Sequence, residues 1–183
     1  ALNANGTLGG NSFAVYANTE FTDGNYPIWK AFDGNTTTGW ATNGNPNPSN
    51  VIFYNPQALN VTLLTMTNRG NTENITGGTV YGSNDNSTWT SLTTFSNSDT
   101  SAYGEWTIDL SSNTEYYNYY KIECTSFTSG NAGFNNIEIT ATYMDWGDFI
   151  SEADWQAQVA STGVCGKFVY DSVNSTVRLP KYG

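Results

Sequence analysis

Histidine is absent from the 183-residue chain, and with it go the commonest general base and the commonest zinc ligand. Triad hydrolases of the Ser-His-Asp kind and His-based metal chemistry are excluded. Basic residues are scarce: six Lys plus Arg stand against sixteen Asp plus Glu, a net charge of −10, so a polyanion meets a repulsive field. Nucleic acid and anionic membranes are therefore poor partners. The two cysteines, Cys124 and Cys165, lack the spacing of a metal site or redox pair, and both read as buried free thiols. No apolar run is long enough to span a membrane. The chain opens at Ala1 with neither an initiator Met nor a charged start followed by an apolar stretch, and it reads as a piece of a longer polypeptide.

What is present is aromatic, turn-rich and covered in hydroxyls and amides. Aromatic residues make up 15% of the chain, charged residues only 12%, and 18 glycines are spread among many Asn, Thr and Ser. Aromatic and β-branched residues suit pleated, half-buried surfaces, while Gly, Asn and Asp supply turns. "NVTLLTMTNR" reads as one strand, "GTVYGSNDNSTWTSLTTF" as two strands across an Asn-Asp-Asn turn, and "YGEWTIDL", "YYNYYKIECTSF" and "NNIEITATY" as three more. Short strands at this spacing with no helical pattern between them predict an all-β domain, a β-sandwich or jelly roll, over residues 1–143.

The texture changes after Tyr143, and residues 144–183 read as a separate appendage. Phe149, Ile150, Trp155 and Val159 fall at roughly helical spacing, with Ser151 and Asp154 as a capping pair and Gly163 as a stop, which predicts a short helix. Phe168 and Tyr170 before "DSVNS", and Val177 and Leu179 after it, predict a hairpin with too little core to stand alone.

Within the first region, five marks recur in a fixed order: "AFDGN" with Thr38 and Trp40, then Asn68-Arg69, "GSND" with Trp89, "YYKIECTSF", and Glu138 near the last strand. Together they resemble the discoidin family, the coagulation-factor type C domain, whose bacterial and phage relatives are galactose-binding carbohydrate modules. The resemblance covers about residues 10 to 143 and implies an eight-stranded jelly roll with ligand-binding loops at one end. It also implies a structural Ca²⁺ held by Asp33, Asn35 and Thr38, by the Lys30 carbonyl and by Glu138; carboxylate, amide, hydroxyl and carbonyl oxygens are the donors this ion prefers. The competing reading of Asp33-Gly34-Asn35 is a plain turn whose side chains satisfy its own backbone.

For the ligand, the family's sugar-binding members place an arginine where Arg69 stands, one of two arginines in the chain. Its five fixed donors suit vicinal hydroxyls. Asn68 and Asn71 are expected to add amide contacts, Glu20 to accept from a hydroxyl, and Phe127 and Phe134 to offer an apolar face. Three competing readings stand beside these: an Arg69–Glu73 ion pair, Phe134 as a core aromatic, and Trp40 and Trp89 as core. The sequence lacks the His of many galactose-binding relatives and the disulfide of the blood-factor domains, which leaves the sugar unspecified. Its polar loops "GNPNPSN" and "TSGNAG" make membrane lipid a distant alternative.

"STGVCGKFVYDSVNSTVRLPKYG" is similar to segments of phage tail-fibre proteins, which implies an extracellular or virion-surface setting and a homotrimer in the full-length fibre. The function expected is a non-catalytic carbohydrate-binding module that recognises host-cell glycans. The alternative is a structural trimeric fibre module that binds no sugar. A glycosidase would need two converging carboxylates, but Asp23, Asp33, Asp85 and Glu105 are scattered over separate turns.

Overall fold

The computed structural model describes residues 5–8, 11–70, 73–143, 169–171 and 176–178, which fall into two compact units, Ala1–Met144 and Asp145–Gly183. In the first unit the strands are β1 (Asn5–Leu8), β2 (Asn11–Ala17), β3 (Trp40–Ala41), β4 (Ser49–Asn68), β5 (Ile75–Ser83), β6 (Thr90–Ser96), β7 (Glu105–Asp109), β8 (Tyr117–Phe127) and β9 (Gly133–Tyr143). One short 3₁₀ turn, Ile28–Phe32, precedes β3. In the second unit β10 (Val169–Asp171) pairs antiparallel with β11 (Thr176–Arg178), with Tyr170 opposite Val177 as the hairpin pattern predicts. The helix expected over 149–163, and Cys165, Phe168 and Leu179, lie outside the described residues.

Strand β4 organises the sandwich. Its first half, Ser49–Tyr54, pairs with β2 and β8, and beyond β8 the layer continues through β5 to β6. Its second half, from Leu59 to Asn68, pairs with β9 and β7 instead. The register shifts between Tyr54 and Leu59 mark the passage from one layer to the other, and Pro56, which has no N–H to give a ladder, sits in that gap. Asn118 holds the crossing by donating from Nδ2 to the Asn55 and Pro56 carbonyls at 2.9 and 3.0 Å. All pairings among these strands are antiparallel, and the domain is the expected all-β jelly-roll sandwich.

Alternation along each strand turns one face inward. Val51 and Phe53 of β4, Val80 of β5, and Tyr120, Ile122 and Cys124 of β8 are buried, while Ile52, Tyr54, Tyr81, Lys121 and Glu123 between them are only half-buried. Phe53 and Tyr120 stack at 5.2 Å. The Tyr120 hydroxyl donates to the Leu59 carbonyl at 2.7 Å and accepts from the Val61 N–H at 3.1 Å, so its polar tip is satisfied inside the core, and burial pushes its pKa up to about 12. Cys124 is the free, buried thiol the sequence predicts, and burial drives its pKa upward. Trp40 is core, but Trp89 is not: it is half-buried, with the Lys121 ammonium 4.9 Å from its ring. The same ammonium lies 4.4 Å from the Tyr81 ring, so Trp89 belongs to an outer cation–π cluster rather than to the interior.

Candidate functional site

Arg69 follows directly on β4, and the structure fixes it from several sides. Its backbone N–H donates to Asn74 Oδ1 at 3.0 Å, and Nη1 donates to Glu73 Oε2 and to the Asn131 carbonyl, each at 2.7 Å. The guanidinium carbon stands 4.7 Å from the centre of the Tyr26 ring. The Glu73 ion pair exists, yet Arg69 is only 7% exposed, so this is no loose surface pair but a guanidinium held in one orientation. Its Nε and Nη2 make no hydrogen bond to any described residue, and the side chain forms a wall of two adjoining depressions.

The first depression, about 260 Å³, is lined by Phe21, Asp23, Tyr26, Arg69, Glu73 and Asn131. The second, about 210 Å³, is lined by Tyr26, Thr37, Arg69, Gly70, Tyr103 and Asn135. Tyr26 and Arg69 thus line both. Tyr103 is 52% exposed and has φ 59°, a left-handed backbone that a bulky aromatic rarely adopts. Its ring lies over Gly70, where any Cβ would collide with it.

A buried amide network holds the segment that carries Tyr103. Asn68 donates from Nδ2 to the Asp99 and Ser101 carbonyls at 2.8 and 3.1 Å, and its Oδ1 accepts from Asn97 Nδ2 at 3.1 Å and Trp106 Nε1 at 2.9 Å. With its side chain so occupied and 1% exposed, Asn68 is a support of the site rather than a ligand contact. Other expected contacts are also reassigned. Phe134 is fully buried, 6.2 Å from Trp40 and 6.3 Å from Trp106, so it is core and offers no face to a sugar, while Phe127 is half-buried against the core and lines neither depression. Glu20 accepts from the Ile28 N–H at 2.8 Å, capping the 3₁₀ turn, and lines neither depression. Asn71 lies outside the described residues.

The turn at Asp33 is internally bonded. Asp33 Oδ1 accepts from the Asn35 N–H and Oδ2 from the Thr38 hydroxyl, both at 2.8 Å, while Asn35 Oδ1 accepts from the Thr37 N–H and hydroxyl at 3.0 and 2.7 Å. Asp33, Asn35 and Thr38 therefore converge as expected, one turn beyond Lys30 in the 3₁₀ segment. Glu138 does not reach them by any hydrogen bond: it is exposed on β9, and its Oε1 accepts from Asn136 Nδ2 at 3.1 Å. Asn135 ties the turn to β9 instead, donating from Nδ2 to the Thr36 carbonyl at 2.7 Å. Among the described residues no cluster of three or more His, Cys, Asp or Glu is placed to bind a metal.

Tyr26, Tyr103, Asn131 and Asn135, which line the depressions, are not singled out by the sequence. Tyr26 and Tyr103 each stand next to a Pro or Gly in a polar stretch, "NYP" and "AYG", which marks a loop aromatic but not the side it faces.

The antiparallel jelly-roll sandwich is of the galactose-binding-like class. The model of the F5/8 type C domain matches residues 14–139, and the chain belongs to that family. No curated protein sequence matches it. Among solved structures it is similar to the Clostridium perfringens module CpGH89CBM32-5 in complex with GalNAc-β-1,3-galactose, at 22% identity and TM-score 0.61, covering 69% of this chain and 94% of that one. It is similar too to the family 32 module of C. perfringens NanJ in complex with galactose, at 20% identity and TM-score 0.58, covering 69% and 92%. A third is chitosan-binding module 1 from a Paenibacillus sp. IK-5 chitosanase/glucanase, at 19% identity and TM-score 0.56, covering 69% and 93%. At these identities the likeness is one of fold.

Proposed function

We propose that this domain is a non-catalytic carbohydrate-binding module that holds a cell-surface glycan at the loop end around Arg69. One observation carries the reading: a nine-tenths buried arginine, pinned through Nη1, with its guanidinium 4.7 Å from the Tyr26 ring and Nε and Nη2 unbonded to any described residue, lines two polar depressions. Fixed donors beside an aromatic ring suit sugar hydroxyls and the apolar face of a pyranose. The relatives crystallised with galactose and GalNAc-β-1,3-galactose support the same ligand class.

We also assign the Asp33 turn a structural calcium ion. Asp33, Asn35, Thr38 and the Lys30 carbonyl offer oxygen only, the donor chemistry of a hard cation, and an ion there would fasten the turn that supplies Thr37 to the second depression. Residues 144–183 fit a carrier role, hanging the module on a trimeric phage fibre or surface adhesin outside the cell.

Binding by Arg69→Ala and Arg69→Lys against wild type on a glycan array tests the reading. A hydrogen bond to a charged group contributes about 1.5–3 kcal/mol, and a millimolar module has only about 4 kcal/mol in all. Arg69→Ala should therefore abolish detectable binding by the monomer. Arg69→Lys keeps a cation for Glu73, so it should melt near wild type yet recover only part of the binding. Wild-type binding by a folded Arg69→Lys would move the site elsewhere, and no glycan binding by the folded wild type would leave the domain a structural fibre module.

A further inference from the structure

We infer that the site takes two linked sugar units rather than one terminal monosaccharide, with Tyr103 as the platform of the second unit; this rests on the carbohydrate-binding reading above. Tyr26 and Arg69 line both depressions, with the guanidinium carbon 4.7 Å from the Tyr26 ring centre, so one side-chain pair borders both. At about 260 and 210 Å³ each lies below the roughly 300 Å³ at which pockets for drug-sized ligands begin, so neither alone offers a full ligand pocket. Their walls differ. The first carries the carboxylates Asp23 and Glu73 beside Phe21, and the second has Thr37, Asn135 and the exposed ring of Tyr103.

Tyr103 is the part that a purely structural account explains least. An aromatic at φ 59° is strained, and such strain persists only where the surroundings over-determine the backbone. Here they do: the Tyr103 N–H donates to the Arg69 carbonyl at 3.2 Å, and the Gly104 N–H donates to Ser101 O at 3.1 Å. Asn68 and Asn97 hold the Asp99 carbonyl from below, each at 2.8 Å. All this fixes a ring that stays 52% exposed, where its apolar face gains nothing from the core. A pre-ordered aromatic beside unbonded guanidinium donors binds without the cost of ordering a side chain.

The test is calorimetry with galactose, N-acetylgalactosamine, glucosamine and N-acetylglucosamine, and with β-linked disaccharides of these units, GalNAc-β-1,3-galactose among them. Tyr103→Gly is the informative variant, because glycine accepts φ 59° without strain and removes the ring while favouring the backbone. Wild type should bind its best disaccharide at least about ten-fold tighter than either component, and Tyr103→Gly should shrink that ratio below about two-fold. Tyr103→Phe should keep it. A wild-type disaccharide no tighter than its components, or a ratio untouched in Tyr103→Gly, overturns the two-unit site alone. No binding to any of these sugars, with the fold intact by melting, overturns it together with the reading it rests on.

Discussion

The turn Asp33–Thr38 and the turn Ser83–Thr88 are made of the same parts. In each, an aspartate accepts from a backbone N–H two residues on and from a hydroxyl: Asn35 and Thr38 for Asp33, Ser87 and Ser83 for Asp85. Each leads toward a tryptophan, Trp40 or Trp89. Yet Trp40 is fully buried and the first turn is bound to β9 through Asn135 and borders the second depression through Thr37. The second turn joins β5 to β6, is exposed at its tip, and lines neither depression. Local chemistry makes a turn in both places; only what packs behind it sets one of them against the second depression.

Packing is therefore where the contrast breaks most readily. Gly39 closes the first turn so tightly on β9 that a Cβ would meet the Phe134 carbonyl oxygen and the Asn135 Cα, and backbone cannot step aside as a side chain can. Gly39→Ala should destabilise the domain by roughly 2–3 kcal/mol, as overpacking does, which lowers Tm by roughly 5–10 °C in a domain of this size. Glycan binding should fall with it, because Asn135 and Thr37 are displaced. In the second turn Asn86 has φ 56° and is exposed, so Asn86→Gly should change stability by no more than about 0.5 kcal/mol. Equal melting of the two variants would erase the distinction.

The same contrast shows what the sequence reveals. Period-two alternation located β5 to β9 closely, since a half-buried strand must alternate, and the order of the five marks gave the jelly roll. The pattern "NVTLLTMTNR" marks β4 only from Asn60, while the strand begins at Ser49, because a strand that changes layers at Pro56 looks like two elements along the chain. The sequence alone marks the Arg69–Glu73 pair and the Asp33 turn, and the structure holds both. The aromatic faces are not legible: Phe127 and Phe134 are core while Tyr26 and Tyr103 are exposed to the depressions, and which side of a strand or loop meets water is decided by tertiary packing. Nothing local marks the left-handed backbone at Tyr103, and Asn135 is one amide among many.

Calcium sharpens the contrast next. If the ion sits only in the first turn, chelation should lower the melting temperature of wild type and of Asp85→Asn, and leave Asp33→Ala unmoved. A ligand present at a hundred times its dissociation constant stabilises by about 2.7 kcal/mol, and loss of the Asp33 hydrogen bonds alone removes about 1–2 kcal/mol. Differential scanning fluorimetry with and without chelator decides it. Indifference of the wild type would remove the ion from the turn and leave the Arg69 reading intact, since none of the Arg69 contacts passes through Asp33.

The smallest effect belongs to the second turn and depends on pH. The backbone N–H groups of Thr88 and Ser87, with the Ser83 hydroxyl, hold the Asp85 carboxyl well below the usual carboxylate range. A group whose folded-state pKa is depressed stabilises above its unfolded value, near 3.8, and loses that contribution as pH falls through the folded one. The charge is exposed and screened by salt, so the effect is slight at ordinary ionic strength. The melting-temperature gap between wild type and Asp85→Asn should stay constant from neutral pH to about pH 5 and close below about pH 4. Sugar affinity at neutral pH should be the same in both proteins. A gap that persists in strong acid would mean that the Asn substitution acts by distorting the turn rather than by removing its charge, and altered sugar binding would make the second turn part of the site after all.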